Sequence, residues 1–187
     1  MRQSIFSQRG VSLVEVLVTM VILAIGLLGV MGLQARLQES EMETYQRSQA
    51  LILLEDMAQR LAANRNAAAS YVTGGANPVG AGMSCQSTTT TQRDRDLKEW
   101  CEELQGAAET LGASGSRVGA MLGGRGCVES LGSNQYLITV AWQGLAPLTA
   151  PPAGAACGRN SYDSAGSSCT GDRCRRVVTT LVRIAPL

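Results

Sequence analysis

The longest apolar stretch of the chain lies near its amino terminus. It runs from Val16 to Leu33 and contains eighteen residues without a charge. A stretch of about 18 or more such residues is long enough for a helix that spans a bilayer. One acid, Glu15, immediately precedes it, and Arg2 and Arg9 lie further upstream. The positive-inside tendency then predicts a cytoplasmic amino terminus, with the remainder of the chain outside.

An ordinary secretory signal or a simple signal anchor is the competing interpretation of this stretch. A secretory signal would have a core of about 7–15 apolar residues followed by a small-residue cleavage site. Here the apolar run is longer, and the small residue, Gly10, precedes it. The order of these features favours a retained membrane helix with a short leader in front of it.

The helical pattern continues beyond the apolar stretch, because no proline occurs before Pro78. Leu54, Met57 and Leu61 recur at spacings of three and four, which places them on one face of a helix. We expect a single helix from Val11 to about Ala63, roughly 80 Å long at 1.5 Å per residue. The alternative is two helices separated by a kink near Gly32.

A second amphipathic helix is predicted from Asp94 to Leu111, with Gly112 as its stop. Its apolar positions recur every three or four residues, at Leu97, Trp100, Cys101, Leu104, Ala108 and Leu111. Residues 67–92 are rich in Gly, Ala, Ser and Thr and are predicted to form a surface connection.

Strand patterns follow the second helix. Gln135–Gln143 alternates strongly, after a turn at residues 132–134, and Arg175–Ile184 places Val178, Thr180, Val182 and Ile184 on one face. Arg117–Leu122 and Cys127–Ser130 are weaker candidates. These strands and the two helices predict an α+β fold with a small antiparallel sheet. The paired arginines Arg175 and Arg176 are interpreted as a solvated strand end.

The cysteines all follow the apolar segment, at Cys85, Cys101, Cys127, Cys157, Cys169 and Cys174. An even number on one side of a membrane helix indicates disulfides in an oxidising compartment, and no second close pair supports a metal site. Six cysteines allow fifteen pairings. Proximity suggests Cys85–Cys101 and Cys169–Cys174, and Cys127–Cys157 would fasten the long loop Gly144–Cys174 to the sheet.

Composition removes several classes of function. The net charge is +1, and it becomes −1 without Arg2 and Arg9, so bulk charge does not indicate a nucleic-acid partner. The chain contains no histidine. This excludes Ser-His-Asp and Cys-His catalysis and histidine-based zinc sites. No nucleophile motif or phosphate loop is present, so we expect no enzyme activity, cofactor, metal or small-molecule substrate.

Residues 10–18, Gly-Val-Ser-Leu-Val-Glu-Val-Leu-Val, closely resemble the leader motif of the type IV pilin family, which pseudopilins share. The resemblance implies cleavage between Gly10 and Val11 by prepilin peptidase, methylation of the new Val11 amine, and a role for Glu15 in subunit assembly. Shorter matches resemble the PilV-type minor pilins. They include Gly26-Leu27-Leu28-Gly29, Val140-Ala141-Trp142-Gln143-Gly144 and Arg175-Arg176-Val177-Val178.

The resemblance also implies an organisation for the chain. Residues 1–10 would be the leader, 11–64 the long helix with a membrane or filament-core part at about 13–33, and 65–187 a periplasmic head. The helix would be an inner-membrane anchor before assembly and would contact other major and minor pilins in a pilus afterwards.

Three functions are compatible with the sequence. The first is a structural minor pilin of a type IV pilus. The second is a minor pseudopilin of type II secretion, which would carry the same leader. The third is an adhesin or binding module, for which the Gly144–Cys174 loop is the best candidate surface. The alternative for that loop is a disulfide-tied cover for a sheet edge, because no aromatic or charged cluster marks a site there.

Overall fold

The computed structural model describes Gly10 and residues 12–106, 110–111, 116–117 and 121–185. The chain divides into two compact units, Met1–Glu41 and Met42–Leu187. The first helix, α1, runs from Leu13 to Ala63 without interruption, so it belongs to both units. Its first part carries the apolar stretch, and its second part provides one wall of the core of the head.

The buried residues of α1 all lie in the second unit. They are Gln46, Ala50, Leu54, Met57 and Leu61, spaced by three and four along one face. The predicted stripe at Leu54, Met57 and Leu61 is therefore the face that enters the core. A 3₁₀ helix, Arg65–Tyr71, follows α1 directly.

The segment predicted as a surface connection is partly internal. Ala68 and Tyr71 belong to the hydrophobic core, and Val79–Gly80 forms a short strand, β1. The prediction for residues 67–92 was therefore wrong in these places. Small side chains such as Ala68 allow the chain to pass close to the core, which composition alone did not reveal.

The second helix, α2, spans Gln92–Leu104 and is shorter than predicted. Thr91 accepts a hydrogen bond from the Asp94 N–H, and the Asp94 side chain accepts one in return from the Thr91 N–H. This capping box explains the early start. Gly106 has a positive φ of 86°, which ends the helix well before Gly112. Thr110–Leu111 is a strand, so the predicted helical end there was wrong.

Two sheets follow. Thr110–Leu111 (β2) and Ser116–Arg117 (β3) form a short antiparallel pair. Arg125–Gly132 (β4), Gln135–Gln143 (β5) and Arg175–Arg183 (β6) join β1 in a four-stranded sheet of order β1-β4-β5-β6. The predicted strands Gln135–Gln143 and Arg175–Ile184 and the turn between β4 and β5 are confirmed. The predicted strand Arg117–Leu122 was wrong at Met121 and Leu122, which are not in a strand, and residues 118–120 lie outside the described residues.

The core of the head lies between the sheet and the helices. Tyr136, Ile138, Val140 and Trp142 of β5 enter one cluster with residues of α1 and with Trp100 of α2. Trp100 is fully buried, and its indole N–H donates to the Leu53 carbonyl at 2.9 Å. A long amino-terminal helix, a second helix and a small antiparallel sheet agree with the predicted pilin-like α+β class.

Candidate functional sites

The amino-terminal segment places the predicted processing and assembly residues at the start of α1. Gly10 is exposed and is not part of a helix or strand, while Val11 lies outside the described residues. The Ser12 carbonyl accepts hydrogen bonds from the backbone N–H groups of Glu15 and Val16, at 3.0 and 3.2 Å. Glu15 is therefore in the first helical turn, where the helix dipole favours a carboxylate.

The side chains that follow Glu15 are apolar on every face of the helix. By length and composition α1 is able to cross a membrane, and none of its apolar stretch is buried. Large residues as far apart as Leu13 and Leu33 are exposed. A helix that is apolar all round is stable only when lipid or other helices cover it.

The glycines of this stretch are not required by packing within the chain. At Gly26, Gly29 and Gly32 an added Cβ would meet no atom within 4 Å. They lie inside a continuous helix, despite a cost of about 1 kcal/mol each relative to alanine. The suggested kink near Gly32 is not present as a break in α1.

Three disulfides occur in the head. They join Cys85 to Cys101, Cys127 to Cys157, and Cys169 to Cys174, which are the three pairs that the sequence suggested. The Cys127–Cys157 bond connects β4 to the long loop. With Ala141 and Tyr162 it forms a second buried cluster on the outer face of the sheet, opposite α1.

The Gly144–Cys174 loop is organised around one buried arginine. Arg175 is 1% exposed, and its guanidinium forms an ion pair with Asp172 at 2.7 Å. It also donates to the carbonyls of Ala155 and Cys157, at 2.7 and 3.0 Å. These bonds satisfy a charge that would otherwise be costly to bury. The loop is thus an internally bonded cover over one part of the outer face.

The start of the same loop is attached to α1. The Glu43 carboxylate accepts from the Leu145 N–H at 3.1 Å and from Arg176 at 3.2 Å. Arg176 also donates to the Ala146 carbonyl at 2.7 Å. The prediction of a solvated pair at Arg175 and Arg176 was therefore wrong. Asp172, three residues before Arg175, was the one local signal that could have indicated it.

A second charged cluster joins α1 to α2. Arg60 contacts four carboxylates, those of Asp56, Asp96, Glu99 and Glu103, at 2.7, 3.4, 2.6 and 3.7 Å. Burial alone lowers the pKa of Arg60, but its bonds to Glu99 and Asp56 raise it above the usual range. Burial, together with the charge of Asp56, raises the pKa of the Glu103 carboxyl.

Tyr71 lies beside this cluster and is fully buried. Its hydroxyl donates to Asp96 and accepts from the Asn64 amide at 2.9 Å. Burial and the bond to Asp96 raise the pKa of Tyr71 to about 12. Sequence reasoning missed both Tyr71 and Arg60, because Asp96, the partner that they share, lies on α2.

The cavities of the described region lie on the surface of the head. One, of about 300 Å³, lies between Gly75–Pro78 and Ala156–Ser161. Within the described residues, no group of three Cys, Asp or Glu side chains is placed to hold a metal ion. The strongest chemical features of the chain are therefore its apolar segment and the acid at its start.

Comparison with known protein families identifies a motif in the same amino-terminal segment. Residues 5–31 match the family model of the prokaryotic N-terminal methylation motif. No significant match was found to a curated protein or to a solved structure. The match supports a type IV pilin-like protein, of a pilus or a pseudopilus, and points to a structural rather than an enzymatic role. A leader of this type implies membrane anchoring, processing by prepilin peptidase and assembly with other pilins.

Proposed function

We propose that this chain is a PilV-type minor pilin, a structural subunit that enters a type IV pilus from the inner membrane and takes part in its assembly. The observation that carries the proposal is the start of α1. A cleavage-type glycine, Gly10, precedes an acid, Glu15, and eighteen uncharged residues, Val16–Leu33, whose side chains are exposed. Such a helix requires an apolar environment, and the acid within it requires a partner.

Cleavage between Gly10 and Val11 supplies that partner. It creates a positive amine on Val11, four residues before Glu15, and the same processing would methylate this amine. An isolated carboxylate in the centre of a bilayer costs about 2–3 kcal/mol. Pairing Glu15 with the Val11 amine of a neighbouring subunit removes two isolated charges from the apolar environment. The pairing would favour docking and set the axial register of the subunit.

The head is consistent with a location outside the cytoplasm. Its three disulfides favour an oxidising compartment such as the periplasm. Arg2 and Arg9 precede the apolar stretch, which supports a single-pass arrangement with the amino terminus in the cytoplasm. After assembly the head would be exposed on the pilus, and α1 would contact other pilins.

Glu15→Ala tests the proposal, with Glu39→Ala as its matched control. Glu39 is also an exposed glutamate of α1, but it lies beyond the uncharged stretch. We expect Glu15→Ala to lower the amount of the protein in sheared pili several-fold, with an unchanged amount in the membrane. Glu39→Ala should leave both amounts unchanged. Mass spectrometry of the wild-type protein from pili should find a methylated Val11 terminus.

Equal recovery of the two variants in pili would refute the role of Glu15. The motif match fits a type II secretion pseudopilin equally well. Deletion of the gene separates the two systems, because loss of surface pili supports the proposal. Loss of protein secretion with normal pili would replace it by the pseudopilin role.

A further inference from the structure

The outermost strand of the four-stranded sheet, β6, has an uncovered edge. It is nine residues long, and within the described residues no strand pairs with its far side. At about 3.4 Å per residue the strand extends for roughly 30 Å. Edges of this length are usually blunted, because their free backbone groups accept a strand from another chain.

The register identifies which backbone groups are free. At one end of β6 the Gly144 N–H donates to the Cys174 carbonyl, and at the other the Ile184 N–H donates to the Asn134 carbonyl. Residues bonded across an antiparallel pair alternate with residues that point away from it. Even-numbered positions of β6 therefore bond to β5. The N–H and C=O groups that point outward are those of Val177, Thr179, Leu181 and Arg183.

The two ends of this edge are closed by the chain itself. The Arg175 N–H donates to the Asp172 carbonyl at 3.1 Å, and the Arg65 side chain donates to the Ala185 carbonyl at 2.9 Å. Both contacts use outward-pointing groups at odd-numbered positions, as the register requires. They leave the segment 177–183 open, which matches the length of one short strand.

The side chains beside the open edge form an apolar surface. Leu181 lies directly opposite Leu137 in the register and is 51% exposed. The Gly144–Cys174 loop covers the other part of the outer face, near Cys127 and Val177. An added strand could bury Leu181, which the chain leaves half exposed.

The charges of β6 indicate which kind of added strand its edge can bind. The strand contains three arginines and no acid. Arg175 and Arg176 are paired with Asp172 and Glu43, whereas Arg183 is exposed and has no ion pair within the described residues. In the register that pairs the open segments 177–183 of two copies, each Arg183 would lie opposite Val177 of the other copy. Because β6 contains no acid, a second copy would leave Arg183 without a carboxylate, which favours a segment of a different polypeptide.

We propose that the β6 edge binds an extended segment of a different polypeptide, antiparallel to β6. The segment has apolar or β-branched residues at alternate positions and a carboxylate opposite Arg183. Backbone bonds to residues 177–183 would supply affinity, and the carboxylate would supply direction and specificity. This inference rests on the head alone and does not depend on the proposed role in a pilus.

The test uses the full chain in detergent micelles and a fluorescent nine-residue peptide as the probe. The peptide alternates threonine and valine and carries a glutamate near its amino terminus, opposite Arg183 in an antiparallel complex. Fluorescence anisotropy measures its Kd. Thr179→Pro removes an outward N–H but no bond to β5, and proline is tolerated at such edge positions. Thr179→Val keeps the N–H and is the matched control.

We expect Thr179→Pro to weaken peptide binding at least about ten-fold, and Thr179→Val to change it less than about two-fold. Arg183→Glu should weaken binding, and a peptide with lysine in place of glutamate should restore it. A peptide that is N-methylated at alternate residues should not bind the wild-type chain, so the proposal remains testable if Thr179→Pro does not fold.

Three results would overturn the proposal. The first is no binding of the peptide by the wild-type chain up to about 1 mM. The second is binding that neither Thr179→Pro nor N-methylation reduces, because the peptide would then occupy another surface. The third is dimerisation of the chain that Thr179→Pro abolishes, since the occupant of the edge would then be a second copy.

Discussion

Gly126→Ala is predicted to destabilise the head through a single methyl group. Gly126 lies in β4, under the indole ring of Trp100. A Cβ added there would lie 2.2 Å from the Trp100 Cη2 atom and 2.6 Å from Cζ2 and Cζ3. Carbon atoms in contact are normally about 3.5–4.0 Å apart, so the ring or the strand would have to move by more than 1 Å.

The ring has little freedom to move. Trp100 is completely buried, and its N–H is bonded to the Leu53 carbonyl of α1 at 2.9 Å. Overpacking a well-filled core costs typically 1–3 kcal/mol, and we expect a value of about 3 kcal/mol here. For a folded unit of this size, that loss corresponds to a Tm lower by about 10 °C.

The assay is thermal unfolding of the full chain in detergent, followed by near-ultraviolet circular dichroism. Gly154→Ala is the control, because an added Cβ there meets no atom within 4 Å and no positive φ is required. It should change Tm by less than about 2 °C. Trp100→Phe should cost less in the Gly126→Ala background than in the wild type, because the smaller ring relieves the overlap.

Equal Tm values for Gly126→Ala and Gly154→Ala would refute this reasoning. So would strict additivity of Gly126→Ala with Trp100→Phe, because two residues in contact should be coupled. Either result would mean that Trp100 does not pack on β4 as described.

Three further predictions concern the head. Asp172→Asn should lower the free energy of unfolding in urea by about 3–5 kcal/mol, because it leaves Arg175 buried without its ion pair. A loss below about 1 kcal/mol would contradict the burial of that pair. The pKa of Tyr71 is raised to about 12, so its neutral hydroxyl should contribute stability below pH 10 that is lost as the pH rises through 12. The free energy of unfolding, measured at pH 8 and pH 11, should show this loss in the wild type but not in Tyr71→Phe. Replacing both cysteines of Cys127–Cys157 by alanine should lower the free energy of unfolding by about 3–4 kcal/mol, and the same change at Cys169–Cys174 by about 2 kcal/mol. The first loss is larger because that bond closes a longer loop. The reverse order would contradict the loop-entropy account.

The prediction of β5 from the sequence succeeded for a local reason. The alternation of Tyr136, Ile138, Val140 and Trp142 with less apolar residues needs only the strand period, and the turn before it needs residues that accept positive φ. The prediction of where α2 ends failed because Leu111 continued the helical spacing of apolar residues. The backbone of Gly106 interrupts the helix earlier, at a position where spacing carries no signal.

The charged contacts of the head could not be predicted in the same way. Glu43 and Arg176 are separated by 133 positions, and their bond forms only because β6 returns beside α1. Arg60 collects four carboxylates, three of them from α2. Each of these side chains by itself has the composition of a solvated surface.

The character of the amino-terminal segment follows from its local sequence alone. An uncharged run after Gly10 and Glu15 is a local property, and its apolarity acts against water whatever the rest of the chain does. Tertiary packing, in contrast, sets the burial of Arg175, the position of Gly126 under Trp100 and the open edge of β6. These features depend on contacts between segments that are distant along the chain, and the packing of the whole head determines those contacts.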